Sequence, residues 1–197
     1  MNKILLARII SGLFNPILFF FLMPYIVVYH QTADMPSSIK WGIFSSLFIS
    51  IGLVLLLVGR LRGVFSERDL SIKEEREEFY LIALILSLSY LMFSAFFKGF
   101  FFHLSIVSLG IFLGILVFTF INLYTKASIH IAAACGFVLT ISIFYGLQVF
   151  IALFWVIPLV AWSRIKLHMH TPKEILIGGL LGSLITLLTF IIAKQIL

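Results

Sequence analysis

Charged residues and cysteines are scarce in this sequence of 197 residues. Only 11% of the residues are charged and 62% are apolar. Soluble domains average about 25% charged and about 45–50% apolar residues, so this composition excludes a soluble globule and a disordered chain. The single cysteine, Cys135, excludes an internal disulfide scaffold and a zinc module built from several cysteines. The composition predicts one integral membrane domain over residues 1–197, without a separate soluble domain.

Six stretches without any charged residue locate the helices that we expect to cross the membrane. They cover residues 9–33, 41–59, 79–97, 99–125, 127–163 and 175–193. Five have a length suited to one crossing, because about 20 apolar residues span a hydrocarbon core about 30 Å thick. Residues 127–163 are long enough for two short crossings with a turn at Gly146. The sequence therefore predicts an all-α bundle of about seven transmembrane helices, with six as the alternative.

The N-terminal apolar run has some features of a signal peptide, because Lys3 and Arg8 precede it. Asn15-Pro16 and Pro24 interrupt the run, however, and no cleavage site of small residues follows it. We therefore expect a first helix that is retained.

Most of the polar residues lie in three segments, which cover residues 60–78, 126–130 and 163–174. If the chain crosses the membrane seven times, all three segments lie on the same face as the N-terminus. That face carries 11 of the 14 Lys and Arg residues. Because positive loops mark the cytoplasmic side, this excess predicts that the three segments are cytoplasmic.

The third polar segment has the form S-R-x5-H-x3-E, with Ser163, Arg164, His170 and Glu174 at the fixed positions. The second segment contains Ser128 and His130, and the first contains Lys73 and Arg76. In this order the segments resemble the three motifs of the type 2 phosphatidic acid phosphatase superfamily, which are K-x6-R-P, P-S-G-H and S-R-x5-H-x3-D. The resemblance covers residues 68–174, within a motif-bearing core of about residues 68–182, and implies a membrane lipid phosphatase with the helical core of that superfamily.

The sequence departs from the family pattern in each motif. Glu174 replaces the Asp of the third motif, and Ala127 and Ile129 replace the Pro and Gly of the second. In the first motif Glu77 follows Arg76 where the family has Pro, and Asp69 stands seven residues before Arg76 where the family has Lys. Lys73 or Arg68 could substitute for that Lys.

These residue types suit the hydrolysis of a phosphate ester. The ester is close to a dianion at neutral pH, so its transition state needs nearby cations, and the guanidinium group of Arg matches phosphate oxygens in pairs. His170 is the expected nucleophile, because imidazole can be neutral at pH 7, and Glu174 would orient its ring. The resemblance implies that His130 is the general acid. The expected phosphate-binding residues are Arg164, Arg76, Lys73, Lys126, Ser128 and Ser163.

Glu174 also has a second interpretation, because Thr171-Pro172-Lys173-Glu174 is a capping box at a helix start. We expect both roles at once to be difficult, because a carboxylate bound to the Thr171 backbone has less freedom to contact His170. His168 and His170 could suggest a metal pair, but no carboxylate or cysteine cluster accompanies them, so no metal is expected. No P-loop or dinucleotide motif is present, and we expect no cofactor and no nucleic-acid partner.

The sequence thus predicts a multi-pass membrane phosphatase that acts on a lipid phosphate or a polyprenyl diphosphate through a phosphohistidine. Its partners would be the lipid phosphate and the surrounding membrane lipids. The alternative is a catalytically silent member of the family that binds anionic lipid. A transporter is less favoured, because transporters place ionisable groups near the bilayer midplane and the charge-free stretches leave none there. The resemblance favours an active site on the outer face, whereas the charge bias favours the cytoplasmic face.

Overall fold

A computed structural model describes residues 2–64, 75–99 and 102–196. Over these residues the chain forms nine helices and no strand, which confirms the all-α prediction. The helices are α1 (Lys3–Leu13), α2 (Pro16–Thr32), α3 (Met35–Leu61), α4 (Glu75–Lys98), α5 (His103–Asn122), α6 (Ile129–Tyr145), α7 (Leu147–Leu153), α8 (Val156–Lys166) and α9 (Pro172–Ile196).

Six helical stretches in the described residues are long and apolar enough to cross a membrane, with α1 and α2 forming one stretch and α7 and α8 another. The helix α6 is also apolar but shorter, with 17 residues. The protein is therefore a multi-pass membrane protein. The predicted turn at Gly146 is present, because α6 ends at Tyr145 and Gly146 has a positive φ of 92°.

Residues 9–33, predicted as one crossing, belong to a single candidate span, Lys3–Thr32, which is divided into the two helices α1 and α2. The helix begins at Lys3, and Asn15 divides it by accepting a hydrogen bond from the backbone of Ile17 at 2.9 Å. Asn15 thereby caps α2, with Pro16 at the first helical position, where a missing N–H costs nothing. The charge-free stretch begins at residue 9, six residues after the actual start of α1 at Lys3. A helix can start among charged residues, because its backbone hydrogen bonds do not depend on the charge of the side chains.

The helices α6 and α9 run parallel to each other and pack closely through glycine. A Cβ atom on Gly178 would lie 2.5 Å from the Ser128 carbonyl oxygen, and one on Gly182 would overlap the backbone of Ala132. Gly178 faces Ser128, and Gly182 faces Ala132, four residues further along each helix. Because the contact moves toward the C-terminus on both helices, the two helices are parallel. Small residues allow such close backbone approach in membrane helices. As a result, the first turns of α6 and α9 lie at the same end of the bundle.

Candidate active site

A tight turn between α8 and α9 sets the positions of Arg164 and His170. The N–H groups of His168 and Met169 donate to the carbonyls of Ile165 and Arg164 at 3.0 and 3.1 Å. His168 has a φ of 56°, so the turn has the hydrogen bonds of a Schellman motif with histidine in the left-handed position that glycine usually takes. This turn leaves the His168 side chain exposed and His170 buried.

His170 and Glu174 contact each other across the start of α9. The Nδ1 atom of His170 lies 3.1 Å from Oε2 of Glu174. The same oxygen accepts a hydrogen bond from the Thr171 backbone N–H at 3.0 Å, and the Glu174 N–H donates to Oγ1 of Thr171 at 3.3 Å. One carboxylate oxygen of Glu174 therefore contacts both groups, so the geometry of the helix cap is compatible with a contact to His170.

Arg164 lies in the last turn of α8 with only 2% of its surface exposed. Its Nη1 atom donates a hydrogen bond to Oγ of Ser11 on α1 at 2.9 Å. The contact joins residues 153 positions apart and packs α1 against α8. A buried guanidinium oriented in this way can bind an anion without first giving up a shell of water.

His130, Arg164 and His170 line one cavity of about 320 Å³, which we call the site cavity. His130 is the second residue of α6 and lies two positions after Ser128, the N-cap. The rest of the wall is largely apolar and comes from α2, α3, α4 and α5. Two imidazoles and a guanidinium thus lie at one end of a space that is otherwise suited to hydrocarbon.

The two predicted serines are both fully buried, but their hydroxyl groups differ. The Ser128 N–H donates to the Glu174 carbonyl at 3.1 Å, which joins the starts of α6 and α9. The Ser128 hydroxyl is buried and has no hydrogen-bond partner among the described residues, but Ser128 is not among the described residues that line the site cavity. Ser163 instead donates its hydroxyl to the Val160 carbonyl at 2.8 Å within α8.

Of the remaining predicted cations, the structure describes only the side chain of Lys126. Lys126 precedes α6, is partly exposed, and is not among the described residues that line the site cavity. Arg76 belongs to α4, but its side chain lies outside the described residues, and Lys73 lies outside them altogether.

The described residues contain no group of three His, Cys, Asp or Glu side chains that could hold a metal ion. The groups at the polar end of the site cavity suit an anion. They are a guanidinium, two imidazoles and the first turn of α6, whose helix dipole is positive at that end.

Two residues of the first span, Ser11 and Asn15, were missed by the sequence analysis. Ser11 binds Arg164, and Asn15 lines the site cavity. Asn15-Pro16 in the middle of an apolar run is a helix-capping signal and could have been recognised as one. Ser11 has no such signal, because only the packing of α1 against α8 brings it to Arg164.

Comparisons with known proteins identify no family for this chain. No protein-family model matches the chain, and neither does any curated protein or solved structure. A functional assignment therefore depends on the side chains around the site cavity.

Proposed function

We propose that the protein is a membrane-embedded phosphatase that removes phosphate from a lipid phosphate or a polyprenyl diphosphate. One observation carries the proposal: His130, Arg164 and His170 line the polar end of a cavity whose other walls are apolar. A phosphorylated lipid has the matching chemistry, with an anionic headgroup for the cations and a hydrocarbon tail for the apolar wall. The order and spacing of these residues in the sequence support the same class of reaction.

In the first step, Nε2 of His170 attacks phosphorus while Glu174 holds Nδ1 and stabilises the positive charge that forms on the ring. The bond between phosphorus and the lipid oxygen breaks, and His130 gives a proton to that oxygen. The lipid alcohol leaves, or a lipid monophosphate when the substrate is a diphosphate. Arg164 neutralises the negative charge on the equatorial oxygens of the phosphoryl group while that group is transferred.

In the second step, water attacks the phosphohistidine. His130 accepts a proton from the water, the bond between phosphorus and nitrogen breaks, and inorganic phosphate is released. His170 and His130 then return to their starting protonation states, so the cycle consumes one water molecule and needs no metal.

The test is phosphate release by the protein in vesicles from a panel of lipid phosphates. We expect His170→Ala and His130→Ala to lower the rate by about 1,000-fold or more, because residues that act as a unit each abolish most of the catalysis. His168→Asn is the matched control, since it changes an exposed histidine in the same turn and Asn tolerates positive φ. Equal phosphate release by the wild type and both alanine variants would overturn the proposal.

The second candidate is a protein that binds anionic lipid without hydrolysing it. It is favoured by the positions of Lys126, which is not among the described residues lining the site cavity, and of Ser163, whose hydroxyl is bonded to Val160. Binding of lipid phosphate without any vanadate-sensitive phosphate release would favour this candidate over the phosphatase.

We further propose that the site faces the cytoplasm, as the distribution of Lys and Arg indicates. Labelling by a membrane-impermeant thiol reagent tests this in a Cys135→Ser background. Lys173→Cys reports the face of the site and Lys98→Cys the opposite face, and both lysines are exposed. Labelling of Lys173→Cys in intact cells, with Lys98→Cys protected, would place the site on the outer face.

A further inference from the structure

The apolar part of the site cavity is long and follows the helix axes. On α3 its lining residues run from Ser45 to Leu56, and on α4 they run from Phe79 to Tyr90. Both runs advance eleven residues, which corresponds to about 16 Å at a rise of about 1.5 Å per residue. This is about half of a hydrocarbon core about 30 Å thick, and thus the depth of one leaflet.

The polar end of the cavity is the end at Phe79. Phe79 and Ile129 pack against the same buried cluster, and Ile129 directly precedes His130. A phosphate held by Arg164 and His130 would therefore lie at the Phe79 end, with its hydrocarbon chain directed toward Tyr90.

The far end of the cavity is bounded by a hydrogen bond between α3 and α4. The hydroxyl groups of Ser45 and Tyr90 bond to each other, and Ser45 also donates to the Trp41 carbonyl at 2.7 Å. One turn beyond this pair, Trp41 and Ser94 are buried in the packing of the bundle. The Tyr90 ring therefore limits how deeply a chain can enter.

The cavity is partly open, and its volume indicates how much hydrocarbon the surrounding helices can enclose. An apolar cavity of about 150 Å³ accepts one benzene molecule, so a volume of about 320 Å³, part of which the phosphate occupies, accepts at most about twelve carbon atoms. That is one alkyl chain of about one leaflet's depth. The two long chains of a diacyl lipid carry more than twice that number of carbons.

We propose that the site cavity is a tunnel for a single alkyl chain, that the enzyme prefers single-chain lipid phosphates, and that Tyr90 sets the longest chain that fits. The substrate preference rests on the proposed phosphatase function, whereas the tunnel can be tested by binding alone. Because the bilayer is as apolar as the tunnel, the selection is steric: chains that are too long or too many are excluded.

The experiment compares octyl, dodecyl and hexadecyl phosphate with a diacyl phosphatidate, each presented in vesicles of uncharged lipid. Ser87 lines the tunnel eight residues from Phe79, so Ser87→Phe would block it about 12 Å from the polar end. We expect Ser87→Phe to lower phosphate release from dodecyl phosphate about tenfold and to spare octyl phosphate. Tyr90→Ala should raise the rate with hexadecyl phosphate by a similar factor. Leu88→Phe is the matched control, because Leu88 is exposed on the same helix.

The melting temperature in the presence of each probe measures binding in the tunnel independently of catalysis, because any ligand that binds the native protein stabilises the protein. If Ser87→Phe and Tyr90→Ala leave the chain-length preference unchanged, or if phosphatidate reacts as fast as dodecyl phosphate, the tunnel proposal is wrong and the phosphatase proposal stands. If no probe loses phosphate but dodecyl phosphate stabilises the wild type and not Ser87→Phe, the tunnel stands and the phosphatase proposal is wrong.

Discussion

The Ser128 N–H donates a hydrogen bond to the Glu174 carbonyl oxygen across 3.1 Å, joining the first turns of α6 and α9. His130 follows Ser128 by two residues, and the Glu174 side chain contacts His170. The positions of the two candidate catalytic histidines are therefore coupled through the packing of two parallel helices.

Gly178→Ala should disrupt this coupling. Its Cβ atom would lie 2.5 Å from the carbonyl oxygen of Ser128, and a helix backbone cannot move aside as a side chain can. We expect a loss of about 1–3 kcal/mol of stability and lower phosphatase activity in the protein that remains folded. Gly12→Ala is the control, because a Cβ there meets nothing within 4 Å. Unchanged thermal stability and activity in Gly178→Ala would show that the close packing of α6 and α9 is not needed.

Glu174→Gln should separate the two roles of Glu174. The amide oxygen of glutamine can still accept the hydrogen bond from the Thr171 N–H, but glutamine carries no charge to stabilise a positively charged His170. We expect phosphate release to fall by about 100-fold or more with little change in melting temperature. Thr171→Ala should do the opposite, because it removes the other half of the capping box and leaves the carboxylate. Full activity with reduced stability in Glu174→Gln would make Glu174 a helix cap only.

The pH dependence of stability should reveal the cap of α3. Hydrogen bonds from the hydroxyl and then the backbone N–H of Ser37 lower the pKa of Asp34. Because the pKa in the folded state is depressed, the stabilisation is complete above the unfolded pKa of about 3.9 and is lost as the pH falls through the folded value. The difference in melting temperature between the wild type and Asp34→Ala should be constant from about pH 5 to 8 and shrink below about pH 4. A difference that grows on acidification would contradict this assignment.

The sequence predicted the helices better than it predicted their ends. Charge-free apolar runs are nearly sufficient to locate membrane helices, because the bilayer excludes charges from its core. The ends are set by caps and turns instead. Lys3 begins α1 because Asn2 caps it, and α5 begins only at His103, after Gly99 has adopted a positive φ.

The candidate site also contains some residues whose positions the sequence predicts and others whose positions depend on the packing of distant helices. Arg164, His170 and Glu174 lie within one short segment, so their spacing alone predicted that they would be close. The contact between Ser11 and Arg164 depends on how α1 packs in the finished bundle, which no local pattern encodes. The double role of Glu174 depends on the position of a single oxygen atom and could not be read from spacing either.

Ser11→Ala tests whether the oriented guanidinium matters. The variant removes the hydroxyl that Arg164 contacts at 2.9 Å, and a hydrogen bond to a charged group contributes about 1.5–3 kcal/mol. If Ser11 positions Arg164 for the bound phosphate, KM for a lipid phosphate should rise about tenfold while kcat changes less. Ser11→Thr, which retains a hydroxyl, should recover most of the loss. If KM is unchanged in Ser11→Ala and only the melting temperature falls, the contact serves the packing of α1 against α8 and not the binding of phosphate.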